Sequence, residues 1–153
     1  MKNFLIVYHS QSGNTQRMAQ AVQNGANDKD IEGVEVRMLS ALDASPSDLL
    51  WANGLILGTP ENFGYMSGAL KDFFDRTFYA VEGKIAPLPY SVFISAGNDG
   101  SGALRSIERI ANGYPFISVQ PALICKGAPS SCDLQRCSEM GQALATGLEL
   151  GIY

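Results

Sequence analysis

The sequence predicts an α/β domain built on a five-stranded parallel sheet with helices on both faces. Two observations carry this expectation. Short apolar runs of strand length alternate with stretches of helical periodicity along the whole chain. Three of those runs are followed by segments rich in glycine, hydroxyl and amide residues, the composition of a turn from strand to helix. The 153 residues suit one domain spanning 1–153.

Taken in order, Asn3–Tyr8 is a compact strand run, and 14–26 places Met18, Val22, Gly25 and Ala26 on one helical face. In 34–39, Val34, Val36 and Met38 alternate with the charged Glu35 and Arg37, which predicts a strand near an edge. Pro46 opens a short helix to Trp51, and Trp51 is expected to anchor it. Gly54–Gly58 is a buried strand. Ser67 caps a helix whose core face is Leu70, Phe73, Phe74, Thr77 and Phe78. A strand over 90–95, a helix over 101–111 and a fifth strand over 116–125, interrupted at Pro121, follow. Asp133 opens the last helix, with Leu134, Cys137, Gly141, Leu144, Ala145 and Leu148 inward. Strand–helix alternation means right-handed crossovers and a sheet covered on both sides. Ligands of such sheets sit beyond the carboxyl ends of the strands.

Composition narrows the function. A net charge of −4 argues against nucleic acid or an anionic membrane as partner. The apolar run after Lys2 ends at His9, far short of the roughly 20 residues a membrane helix needs. A cytoplasmic protein without membrane insertion is therefore expected. Three cysteines, 125, 132 and 137, lack C-x-x-C spacing and read as reduced packing residues with no metal role.

The three strand-end segments are the candidate site. Ser10, Gln11, Ser12, Gly13, Asn14 and Thr15 lie between a buried strand and a helix start, where backbone N–H groups and the helix dipole hold a phosphate. Simple capping by Asn14 or Ser12 is the competing reading. No lysine follows, which excludes a G-x-x-x-x-G-K-[ST] loop, and the lone Gly13 excludes G-x-G-x-x-G. Tyr8-His9 at the strand end excludes the acidic pocket of a receiver domain. Thr59, Pro60, Glu61, Asn62, Phe63, Gly64 and Tyr65 combine aromatics with a glycine, suited to a flat ring or to covering the sheet end. Ser95, Ala96, Gly97, Asn98, Asp99 and Gly100 hold no bulky side chain, and leave either room over a ring or a flexible turn. His9, Arg17 and Lys71 read as structural or surface residues.

Tyr8–Thr15, Gly58-Thr59-Pro60 with Phe63–Lys71 and Phe74-Asp75, and Ser95-Ala96-Gly97 together resemble flavodoxin-like proteins. The second stretch is most similar to NAD(P)H-dependent flavin mononucleotide (FMN) reductases and flavodoxin-like quinone reductases. The resemblance implies strand order 2-1-3-4-5, FMN phosphate on Ser10–Thr15, and the flavin ring between Pro60–Tyr65 and Ser95–Gly100. It further implies an oxidoreductase taking electrons from NAD(P)H and passing them to a quinone or similar acceptor, possible as a homo-oligomer. The alternative is a carrier that docks to redox partner proteins and does not oxidise NAD(P)H. Electron-carrying members often cover the ring with an aromatic from the third segment. Asn98-Asp99 stand there instead, so one ring face is expected to be open, with Asp99 and Glu61 as charges that tune it. No side chain is assigned as catalytic acid or base.

Overall fold

The computed structural model describes residues 1–153. Its elements are β1 (Lys2–Tyr8), α1 (Asn14–Ala26), β2 (Val34–Ser40), α2 (Pro46–Trp51), β3 (Gly54–Asn62), β4 (Tyr65–Met66), α3 (Gly68–Val81), β5 (Leu88–Ala96), α4 (Ser101–Ala111), β6 (Phe116–Ser118), β7 (Leu123–Lys126) and α5 (Ser131–Glu149).

The main sheet is parallel and runs β2-β1-β3-β5-β6, with β7 also beside β5. This is the expected 2-1-3-4-5 order. Seven strands replace the expected five for two local reasons. The fifth strand breaks into β6 and β7 because Pro121 lacks an N–H for the ladder. In addition, β3 runs on past Gly58 to Asn62 and folds back as β4, so part of the expected second loop is a hairpin. Asp133 is the third residue of α5, not its start. Ser130 is the cap, accepting from Asp133 N while Asp133 Oδ2 accepts from Ser130 N, a reciprocal pair.

Strand alternation splits the interior in two. Phe4, Ile6, Ile56 and Phe93 point to the side of α1 and α5, where they meet Met18, Val22, Cys137 and Leu144. Leu5, Val7, Leu55, Leu57, Val92 and Ile94 point to the opposite side, with Leu49, Leu70, Phe73, Phe74 and Ile107. Central strands buried on both faces thus read as continuous apolar runs, while β2 at the edge is only half-buried. Trp51 carries the Arg37 guanidinium 3.9 Å above its ring, and Arg37 pairs with Asp48 at 2.7 Å, which ties α2 to the edge strand. Cys125 and Cys137 are buried packing residues; Cys132 is exposed. No helix is long and apolar enough to cross a membrane.

Candidate functional site at the carboxyl end of the sheet

β1, β3 and β5 are neighbours in the sheet, with Tyr8 beside Gly58 and Pro60 beside Ser95. The three candidate segments therefore emerge side by side.

The first segment wraps the start of α1. Gly13 is the N-cap at φ 100°, a left-handed conformation that disfavours a side chain. Neither Ser12 nor Asn14 caps the helix. Ser10 Oγ does so from further back, accepting from Gly13 N at 3.1 Å and Gln16 N at 3.2 Å. The N–H groups of Gln11, Ser12, Asn14 and Thr15 make no bond within the chain. Those donors surround the positive end of the α1 dipole, the geometry that holds a phosphate monoester. Arg17 does not enter this cradle; its guanidinium donates to Pro129 O at 3.5 Å and braces the segment before α5.

In the second segment, roles divide residue by residue. Thr59 is fully buried; its hydroxyl donates to Pro60 O and accepts from Ser67 N, which fixes the start of α3. Glu61 Oε2 accepts from Ala103 N at 3.0 Å, so its carboxylate serves the N-terminus of α4. Asn62 Nδ2 donates to Gln11 Oε1 at 3.3 Å and links the first segment to the second. Phe63 and Gly64 form the two-residue turn between β3 and β4, both at positive φ (53° and 68°). Phe63 is wholly exposed, an aromatic held in a conformation costing about 1–2 kcal/mol for an L-residue. Gly64 packs its backbone on Gly102, where any side chain would collide with Gly64 O. The turn is therefore seated on α4.

The third segment is shorter than expected. Ser95 and Ala96 belong to β5 and are buried, while Gly97, Asn98 and Asp99 are exposed and Gly100 is the buried N-cap of α4. A side chain at Gly97 would meet open space. Asp99 Oδ1 accepts from Ser101 N and Ser101 Oγ, each at 2.9 Å, and these bonds hold its carboxyl below the usual range. Gly127 N donates to Ala96 O at 2.9 Å, which brings the turn after β7 beside the end of β5. His9, at the end of β1, buries an Nδ1 that makes no hydrogen bond.

This arrangement fits a flavin nucleotide. It offers unbonded donors for one phosphate, an orphaned polar atom at the strand end, an exposed aromatic, and an open floor at Gly97. The cradle is an open surface. Against the hairpin lies a separate cleft of about 690 Å³, lined by Gly64, Tyr65, Lys71, Gly102, Arg105 and Arg109 among others. Arg105 and Arg109 lie outside the three strand-end segments, on α4. Their i, i+4 spacing on α4 was the clue available.

The flavodoxin family model matches residues 6–141. The chain belongs to the flavodoxin family. Its members are FMN-binding oxidoreductases of electron transfer, and both carriers and enzymes appear among its relatives. A protein named flavodoxin from Aquifex aeolicus is 38% identical over 120 residues, 76% of this chain and 64% of that one. The chain thus spans a little under two thirds of that relative's length. A protein named NAD(P)H dehydrogenase (quinone) from Acidithiobacillus ferrooxidans is 30% identical over 151 residues, 86% of this chain and 74% of that one. Among solved structures, a flavodoxin from the domain Archaea superposes with a TM-score of 0.81 at 27% identity, covering 96% of this chain and 99% of the other.

Proposed function

We propose that this flavodoxin-family chain is an NAD(P)H-dependent reductase that passes electrons through FMN to a quinone or similar small acceptor in the cytoplasm. Residues 1–153 are read as one FMN-binding domain. FMN, when bound, supplies the two-electron chemistry. The chain's part is to hold and expose it. The N–H groups of Gln11, Ser12, Asn14 and Thr15, with the hydroxyls of Ser12 and Thr15, take the phosphate. Pro60–Tyr65 and Gly97–Gly100 flank the ring, and Phe63 offers it a flat apolar surface.

The observation that carries the enzyme reading is the third segment. Gly97, Asn98 and Asp99 are exposed and small or polar, and Asp99 is folded back onto Ser101. Nothing there shields a ring face from a nicotinamide or a quinone. The carrier reading is favoured by the 38% identity to the Aquifex protein named flavodoxin.

The deciding experiment loads the protein with FMN anaerobically, adds NADH or NADPH, and follows the flavin absorbance. Rapid bleaching, reversed by a quinone, is expected. A yellow protein that stays oxidised until a separate flavoprotein reductase is added would favour the carrier. Failure to retain FMN would remove the assignment of all three segments.

A further inference from the structure

The chain carries an excess of negative charge, yet one cleft beside the hairpin gathers three cations, Lys71, Arg105 and Arg109. They are not equivalent. Lys71 is neutralised by Asp75 on its own helix at 2.6 Å. Arg105 and Arg109 form no direct ion pair, since those of the molecule are Arg37–Asp48, Lys71–Asp75 and Arg76–Asp72, and the acid beside Arg105, Asp99, meets it through Ser101. They sit one turn apart on the same face of α4, an arrangement that costs the helix a few tenths of a kcal/mol through repulsion. Arg109 is in the last turn, where it complements the helix dipole; Arg105 is mid-helix and receives no such compensation. Its guanidinium is oriented by a 3.3 Å donation to Ser101 Oγ, the hydroxyl that Asp99 also engages. Tyr65, Ser106, Ile110, Gly64 and Gly102 complete the cleft, so it has apolar and polar walls as well as a charged one.

Two properties select the ligand. Paired guanidiniums that form no ion pair bind a dianionic phosphate through several charge-assisted hydrogen bonds. At about 690 Å³ the cleft has the size of a small-molecule site. A protein partner would instead need a broad patch of roughly 800 Å² per side. Position adds a third argument. Gly64 belongs both to this cleft and to the hairpin that flanks the ring site, and α4 rises about 12 Å from Ser101 to Arg109. A dinucleotide with its nicotinamide over the open ring face can run along α4 towards the arginines.

We propose that Arg105 and Arg109 bind the 2′-phosphate of NADPH and make this chain selective for NADPH over NADH. The proposal rests on the reductase reading above, and its test separates the two. The FMN-loaded protein is titrated calorimetrically at low salt with 2′,5′-ADP and with 5′-AMP, which differ by that phosphate. The wild type should bind 2′,5′-ADP at least about 10-fold more tightly, and the double variant Arg105→Gln/Arg109→Gln should lose that preference. Arg105→Lys, which keeps charge without the fork, should retain part of it. In anaerobic flavin reduction, the NADPH/NADH ratio of kcat/KM should collapse in the double variant through a raised KM for NADPH. Equal or absent binding of the two nucleotides by the wild type would overturn the site, even if both dinucleotides bleach the flavin. A 2′,5′-ADP preference that the double variant abolishes, in a protein that neither dinucleotide reduces, would support the phosphate site and overturn the reductase reading.

Discussion

At Phe63 a local conformational cost stands against the role proposed for its ring. The residue sits at φ 53° with its ring wholly in solvent, so it contributes no packing to offset the strain. Asn tolerates the left-handed region far better. Phe63→Asn is expected to raise the stability of the FMN-free protein by about 0.5–1 kcal/mol. On the proposed assignment it should also weaken FMN retention, because the flat apolar surface is gone. Urea unfolding and FMN titration read the two effects separately, and a fall in both would assign Phe63 a packing role that its exposure denies. Ser10 shows the reverse situation. Its hydroxyl serves two backbone N–H groups that Ser12 and Asn14, the residues adjacent to the helix start, leave unserved. A cap that reaches across six positions has no spacing signature, so capping by Ser10 is not legible beside the competing candidates Ser12 and Asn14.

At the scale of elements, the crossing of α1 and α5 is the tightest in the molecule. A Cβ at Gly141 would strike the Val22 carbonyl, and one at Gly25 would strike the Ser138 carbonyl. In an isolated helix Gly141→Ala would be favourable by about 1 kcal/mol. Here the helices must separate, and overpacking of about 1–3 kcal/mol should dominate. The expected outcome is a lower urea midpoint with unchanged helical circular dichroism; a higher midpoint would mean that the helices separate freely. The hairpin of β3 and β4 belongs to this scale too. Its turn, Asn62-Phe63-Gly64-Tyr65, lacks the Asn-Gly or Asp-Gly pair that marks a primed turn, and its return strand is two residues long. It therefore read as a loop. The central strands were legible because burial on both faces leaves an unbroken apolar run, whereas Pro121 obscured where one strand ended and the next began.

For the whole molecule, the order of the main sheet was legible from alternation together with the family resemblance. The cleft on α4 was not, because Lys71, Arg105 and Gly64 come from three elements that only the fold brings together. Stability also has a whole-molecule signature in pH. Burial pushes the Cys137 thiol up to about 12, and burial together with donation to Asp133 pushes the Cys125 thiol up to about 11. These groups stay protonated in the fold and ionise near 8.5 when unfolded. The stability they contribute is present below that value and is lost as pH rises towards the folded values, because the unfolded chain then holds fewer protons. Urea midpoints should fall between about pH 9 and 11. Cys137→Ala should fall less steeply with pH, whatever its midpoint at neutrality; parallel curves would locate the alkaline loss elsewhere.

The bonds that join the three segments have one more consequence. Gln11 to Asn62 spans 51 positions of sequence, and Glu61 to Ala103 spans 42. Each closes a long loop, and an unfolded chain gains nothing from such a contact until the intervening strands are in register. The docking of the first segment on the hairpin, and of the hairpin on α4, therefore needs the assembled sheet. On the proposed assignment of the three segments, FMN retention should require the assembled sheet, so bound cofactor would mark completed assembly of this polypeptide.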